Sequence, residues 1–417
     1  MEKIQTTTPV DLYEERLKRV NDAIALREAD KVPVAPQFSC VIQRLYDSDY
    51  KNLYYDYHTA GEAFLKFYSD YPQCDAHSCS GFVSGVSNEL AGSTMIDWPG
   101  RPGTKVSNIS SHQVIEHEYM LPEEYPELLN DFTGFMIRKY IPRAYSNLQG
   151  FSKVKLTPTV VLNTGFLSSL YSPELIENYE TLIQIGKLDA AAASTQAHYS
   201  EKLGNMGFPP MRSAASQAPY DILGDYFRGT IGIMEDLIDN EDMILSACEM
   251  FADQQISALQ YLKDAPMRVK RVFFPFHKGM DGFMSPSQYE KLYWKPLRRI
   301  IDALIDIDVT PHLYTEGRYD SRLEQLADVP KGKVLYHFET ADMKEAKRIL
   351  GGTACISGNL PVAMLEYGKK EDIADYCKYL IDTCAPGGGY IFDLNGFAEN
   401  AKRENLDVMF DTLEKYR

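Results

Sequence analysis

From about residue 265 onward the chain alternates between two patterns. Short apolar runs start near 271, 309, 334, 354 and 389, and stretches with helical spacing follow them at 285–307, 319–329, 342–350, 370–385 and 403–416. Near-continuous apolar runs of four to eight residues alternating with helices predict parallel strands buried on both faces. The first half of the chain is less regular. It predicts helices over 9–28, 41–48, 60–70, 123–148, 173–200 and 234–263, with further strands near 32, 76 and 205. Eight strands alternating with helices favour an α/β protein of the (β/α)8 TIM-barrel class over an open sheet. Residues 1–30 read as an N-terminal helical extension and 31–417 as the barrel. The stretch 75–170, with its Pro- and Gly-rich loop at 98–103, is expected to form inserted lid segments.

Side chains alternate along a strand, so each predicted strand presents its polar groups on one face. His312, Tyr314 and Glu316 share a face, as do His337 and Glu339, and as do Cys355, Ser357 and Asn359. The last strand ends in Asp393, Leu394 and Asn395. In a barrel of this class, groups at the C-terminal strand ends form the active site. Imidazole, carboxylate and thiolate together are competent zinc ligands, which marks His312, Glu316, His337 and Cys355 as candidates. Asn395, Asp393 and Tyr314 would orient them. The bland alternative is equally concrete: buried barrel histidines, Glu316 capping the helix near Tyr319, and Cys355 as a small core residue.

Other patterns are weaker. His112 and His117 are five apart and fall on different faces of a helix or a strand. Cys74 and Cys79 lack a second pair, and Gly387-Gly388-Gly389 is not followed by Gly-Lys-Ser/Thr. No Gly-x-Ser-x-Gly elbow is present.

Composition narrows the field. A net charge of −16 argues against general nucleic-acid binding, which needs clustered cations. Seven scattered cysteines argue against a disulfide framework and for a reducing cytoplasmic setting. No run of 18 apolar residues suggests a membrane span, and the first residues lack the apolar stretch of a signal peptide.

Several segments together resemble the uroporphyrinogen decarboxylase superfamily. They are Glu15-Arg16 with Asp30-Lys31-Val32-Pro33-Val34, and Tyr226-Phe227-Arg228-Gly229 with Met234-Glu235-Asp236. Further along come Met284-Ser285-Pro286 leading to Tyr293-Trp294-Lys295-Pro296-Leu297, then Ile356-Ser357-Gly358-Asn359-Leu360-Pro361. The last is Gly387-Gly388-Gly389-Tyr390-Ile391 with Glu404-Asn405-Leu406. The resemblance implies a (β/α)8 barrel. Decarboxylases of the superfamily carry an Arg-rich stretch after the first strand. The corresponding place here, from Gln37 to Arg44, holds a single Arg, a poor clamp for a poly-acid.

The resemblance points instead to the corrinoid-dependent methyltransferases, whose thiol-methylating members hold zinc with a His-x-Cys pair and a later Cys. The matching positions here are His312-Leu313-Tyr314 and Asn395: the His remains and both Cys are missing. Glu316 and His337 are expected to replace them, giving a harder N/O site suited to an ether oxygen. The implied activity is transfer of a methyl group from a small methoxylated, aromatic-ether substrate to Co(I) of cobalamin on a partner corrinoid protein. Tyr314 or His277 would serve as the acid, with Asn395 beside it in the catalytic set. Phe274, Phe276, Phe283 and Met284 are expected to line an apolar slot for the ring, with Asn359 and Asp393 as polar contacts. A homodimer is compatible with the chain; nucleic acid and membrane are not expected partners. The rival readings are a lyase using Arg101, Arg143, Arg212 and Arg228, a methylcorrinoid:thiol or amine methyltransferase, and a binding partner without turnover.

Overall fold

The computed structural model describes residues 8–38, 40–156 and 164–417. The segment 1–7, on which the reading of a missing signal peptide rests, lies outside the described residues, as do Ser39 and 157–163. Six strands form one parallel sheet in sequence order: β1 (Ala214–Ala215), β2 (Arg271–Phe276), β3 (Thr310–Thr315), β4 (Leu335–Phe338), β5 (Cys355–Ser357) and β6 (Tyr390–Ile391). Two further extended segments close the ring. Val34 bridges Phe392 and His77 bridges Pro210, both in parallel, and the Asp75 N–H donates to the Val34 carbonyl at 2.7 Å. The fold is therefore an eight-stranded (β/α)8 barrel.

The third barrel strand lies at 210–215, not near 205. The helix α2 (Pro173–Asn205) runs for 33 residues through the expected position. It stops only where Gly207 turns to φ 92°, a conformation that favours glycine, ahead of Pro209 and Pro210, which cannot continue a helix. The helices expected near 123–148 are present as a run of short pieces, among them Tyr125–Asn130 and Ile141–Ala144. An unexpected helix, Val362–Tyr367, follows β5.

The N-terminal end of the barrel is plugged by α1 (Pro9–Ile24). Its start is fixed by reciprocal bonds: the Asp11 N–H donates to the Thr8 hydroxyl oxygen and the Thr8 N–H to the Asp11 carboxylate, a capping box with Pro9 in the first turn. Val20, Ala23 and Ile24 then pack onto Ala35, Ala76, Met211, Leu335, Cys355 and Ile391. A buried polar lock reinforces the plug. Arg19 binds Asp75 and Asp30, and Asp75 also accepts from the Val34 N–H at 2.8 Å and from Arg417 at 2.6 Å. The rest of the core lies between the strands and the surrounding helices, where Phe274 and Phe276 face outward against residues such as Tyr293. Among the described residues, no helix is long and apolar enough to cross a membrane.

Candidate active site at the C-terminal mouth of the barrel

Asp221 and Asp225 are four residues apart, a spacing that places both on one face of a helical turn. They sit on Pro219–Ile222 and on the wide π turn Leu223–Arg228 that follows it. Asp221 is fully buried. It accepts from the backbone N–H groups of His277 (3.0 Å) and Lys278 (2.8 Å) and from the Tyr293 hydroxyl (2.7 Å). That carboxylate fixes the chain where it leaves β2, so that both side chains reach Asp225. His277 Nδ1 lies 2.5 Å from one Asp225 oxygen, and Lys278 Nζ is 2.5 Å from the other. On its far side, His277 Nε2 is 3.6 Å from Glu316, at the end of β3.

This arrangement sets the protonation states. Burial alone would discharge His277. The bond to Asp225 and the nearby Glu316 carboxylate, with the charges of Asp221 and Asp225, outweigh it and push the imidazole up to about 10. Burial raises Asp225 as well, but the bond from His277 and the charges of His277 and Lys278 leave it below the usual carboxylate range. Burial and the neighbouring Asp225 charge push Asp221 up to about 6. The mouth thus holds a cationic, half-exposed imidazolium between two carboxylates, a group able to deliver a proton.

Deeper in the lumen the polar groups form a separate network. Gln37 Nε2 donates to His337 Nδ1 at 2.8 Å, and His337 Nε2 donates to the Leu394 carbonyl at 2.7 Å; this network assigns the tautomer. The Gln37 side-chain oxygen accepts from Arg212 at 3.2 Å, and its backbone N–H donates to Asp393 at 2.9 Å. Burial raises Asp393 above the usual range. His312 is fully buried, and burial, with the Arg212 and Arg271 charges nearby, pushes it far down. Neither of its ring nitrogens has a hydrogen-bond partner among the described residues, nor has Asp393 Oδ2.

The four expected zinc ligands do not fit one metal. His337 has both nitrogens committed to Gln37 and Leu394, and its ring centre is 6.2 Å from that of His312. Cys355 packs among apolar side chains beneath the lumen, against the α1 plug, and burial raises its thiol well above its ordinary value. Glu316 turns to His277 at the mouth. Among the described residues, no group of three or more His, Cys, Asp or Glu side chains is placed to hold a metal ion.

The other expected residues divide. Tyr314 lies in the lumen, its ring 4.6 Å from that of His337 and its hydroxyl donating to the Asn395 carbonyl at 3.2 Å. Burial raises that hydroxyl far above its ordinary range, which removes it as a ready proton donor. The Asn395 side chain accepts from the Val362 N–H at 2.9 Å, so it caps the helix after β5. Asn359 donates to the carbonyls of Glu339 and Ala341 and accepts from Tyr376. Phe276 faces outward toward Tyr293 and Tyr319, Phe283 packs against Tyr220, and Met284 is buried in the same outer layer. None of these three lines the lumen slot expected of them; even-numbered β2 positions point away from it. Glu339 caps the Gly317 N–H. His112 and His117 contact Tyr54 and Tyr119 separately.

A cleft of about 1620 Å3 runs along one side of the barrel; its lining extends from Val10 and Tyr13 of α1 to Gln217 and Tyr226 beside the acid cluster and includes Arg212, Phe273 and Pro275. The acid cluster borders it through Gln217, which donates to Asp225 at 2.8 Å. Of the four arginines considered for a lyase, only Arg212 lines the cleft. Arg143 pairs with Glu124, Arg228 with Asp236 and Glu118, and Arg101 with Asp97.

Asp221, Asp225 and Lys278 escaped the sequence reading. A signal was present in the i, i+4 carboxylate pair just before Tyr226-Phe227-Arg228-Gly229.

A solved structure, "methyltransferase from Methanosarcina mazei", superposes with a TM-score of 0.57 over 96% of this chain and 98% of that one, at 14% identity. That likeness speaks for the fold. No curated protein matches. The pattern of the uroporphyrinogen decarboxylase (URO-D) family matches residues 207–416, the half of the chain that carries β1 to β6 and the acid cluster, and the chain belongs to that family.

Proposed function

We propose that the protein is a methyltransferase that removes the methyl group of a small methoxylated aromatic compound and passes it to a corrinoid carried by a partner protein. The observation that carries this reading is the His277 imidazolium held between Asp225 and Glu316 at the mouth. An alkoxide or phenoxide is a poor leaving group, and a proton donor within reach of the ether oxygen lowers that barrier. As the methyl–oxygen bond breaks, its electron pair stays on oxygen, and oxygen takes the proton from His277 Nε2. Asp225 holds Nδ1 and keeps the ring oriented; Asp221 fixes the backbone beneath it. The corrinoid supplies the nucleophile that receives the methyl group.

The cleft, at about 1620 Å3, exceeds the roughly 300–1,000 Å3 of most small-ligand sites. It has room for a substrate and the face of a macrocycle. The wall includes Phe273, Pro275 and Tyr226, which suits a flat apolar ring. The zinc implied by resemblance has no ligand sphere in the four residues expected to hold it, so no step is routed through a metal.

The test is spectroscopic. Purified protein is mixed with a reduced corrinoid protein and a panel of methoxyarenes, and formation of methyl-Co(III) is followed. Methylation that depends on a methoxyarene and is lost in His277→Gln supports the reading; no methylation with any methoxyarene, or full activity in His277→Gln, refutes it.

A further inference from the structure

Arg212 has no role in proton delivery, yet its environment is unusual. It is half-buried at the cleft wall, and among the described residues its one hydrogen-bonded partner is neutral Gln37. Among the described residues no carboxylate lies within ion-pair distance, and Asp393 favours its charge only from further away. Burial pulls the guanidinium down to about 10, so it remains charged at neutral pH. A half-buried cation without a counter-charge is unfavourable unless a ligand supplies one. The guanidinium lies 4.1 Å over the Phe273 ring and 5.7 Å from that of Phe397, and Tyr314 stacks on Phe273 at 6.0 Å. The His312 ring meets the Phe273 edge at 5.2 Å, with both nitrogens unpartnered. Buried polar atoms of this kind call for a polar ligand.

We propose that Arg212 anchors an anionic substituent, a carboxylate, on the aromatic ring of the substrate, with His312 as a second donor. This rests on the demethylase reading of the site and narrows its substrate class to methoxyaromatic acids. Phe273 and His277 share one face of β2 and its extension. At about 3.3 Å per residue their backbones are roughly 13 Å apart, a span that a single ring bridges when an anion occupies one end and a methoxy group the other. The carboxylate sits between Arg212 and His312, the ring lies along Phe273 and Pro275, and the ether oxygen points to His277.

The experiment is an equilibrium binding measurement without any corrinoid protein. The affinities of 4-methoxybenzoate and of the neutral 4-methoxybenzamide are determined by calorimetry for wild type, Arg212→Gln and Arg212→Lys, with thermal melts as a folding control. The wild type is expected to bind the acid at least tenfold more tightly than the amide. Arg212→Gln should bind both alike, and Arg212→Lys should keep part of the preference. Equal affinity of acid and amide in the wild type, no binding of either, or a preference that survives in Arg212→Gln overturns the anchor. Those outcomes leave the demethylase reading standing, because neutral methoxyarenes would still drive methyl-Co(III) formation. Loss of methyl transfer with an intact acid preference would sink the function and spare the anchor.

Discussion

Replacing Asp225 with Asn removes the first of the contacts that keep His277 charged, while preserving shape. The rise of the imidazole from 6.5 to about 10 corresponds to about 5 kcal/mol at 1.36 kcal/mol per pH unit. The side chain is 33% exposed, so solvent screening reduces this to about 2–3 kcal/mol. With Glu316 and Asp221 still in place, Asp225→Asn is expected to lower the His277 midpoint by about two pH units. At pH 9 the protonated fraction would fall from about nine-tenths to about one-tenth, and methyl transfer by about tenfold, with little change at pH 6. Because the folded-state value lies above the ordinary one, the imidazolium contributes stability in full below about pH 6.5 and loses it as pH rises through about 10. With the variant's midpoint near 8, the stability gap between wild type and Asp225→Asn should hold below about pH 8 and close between about pH 8 and 10. The assay is an NMR titration of the His277 ring signal, paired with a pH–rate profile. A wild-type midpoint near 6.5, or an alkaline limb at the same pH in both proteins, would refute the reasoning.

Three further outcomes are expected. Asp221→Ala strips the acceptor from two buried N–H groups and a tyrosine hydroxyl and should cost about 3–5 kcal/mol in urea unfolding; a loss under 1 kcal/mol would contradict the template role. Asp75→Ala leaves Arg19 and Arg417 buried without their shared carboxylate, for about 3–5 kcal/mol by the same measurement, with the pH–rate profile of residual activity unchanged. Cys355→Ala should cost about 1–2 kcal/mol as a small core truncation and leave elemental metal content and methyl transfer untouched; a drop in bound metal would restore it as a ligand.

Much of the barrel was legible because buried parallel strands read as continuous apolar runs and because the strand period is two. Parity alone put His312, Tyr314 and Glu316 on one face, which the barrel turns toward its lumen and mouth. Parity does not report depth, however. Cys355 shares a face with Ser357 and Asn359, yet the tilt of the strands places its thiol against the plug. Nor does it survive beyond a strand: Phe283 and Met284 lie in a loop and pack outward. Two of the carboxylates that charge His277, Asp221 and Asp225, come from a turn more than fifty residues upstream. The strand expected near 205 was displaced by a helix that nothing in its sequence stops before Gly207.

The seam between first and last strands has a consequence for how the chain is made. Gln37 meets Asp393 across 356 residues of sequence, and α1 seals a floor whose pieces include Leu335, Cys355 and Ile391. During synthesis the first extended segment has no neighbour on one side until nearly the whole chain has emerged. Contacts of such long range form slowly, and an unpaired strand edge invites pairing with another molecule. A nascent chain stalled before residue 390 is therefore expected to be the species most in need of a chaperone.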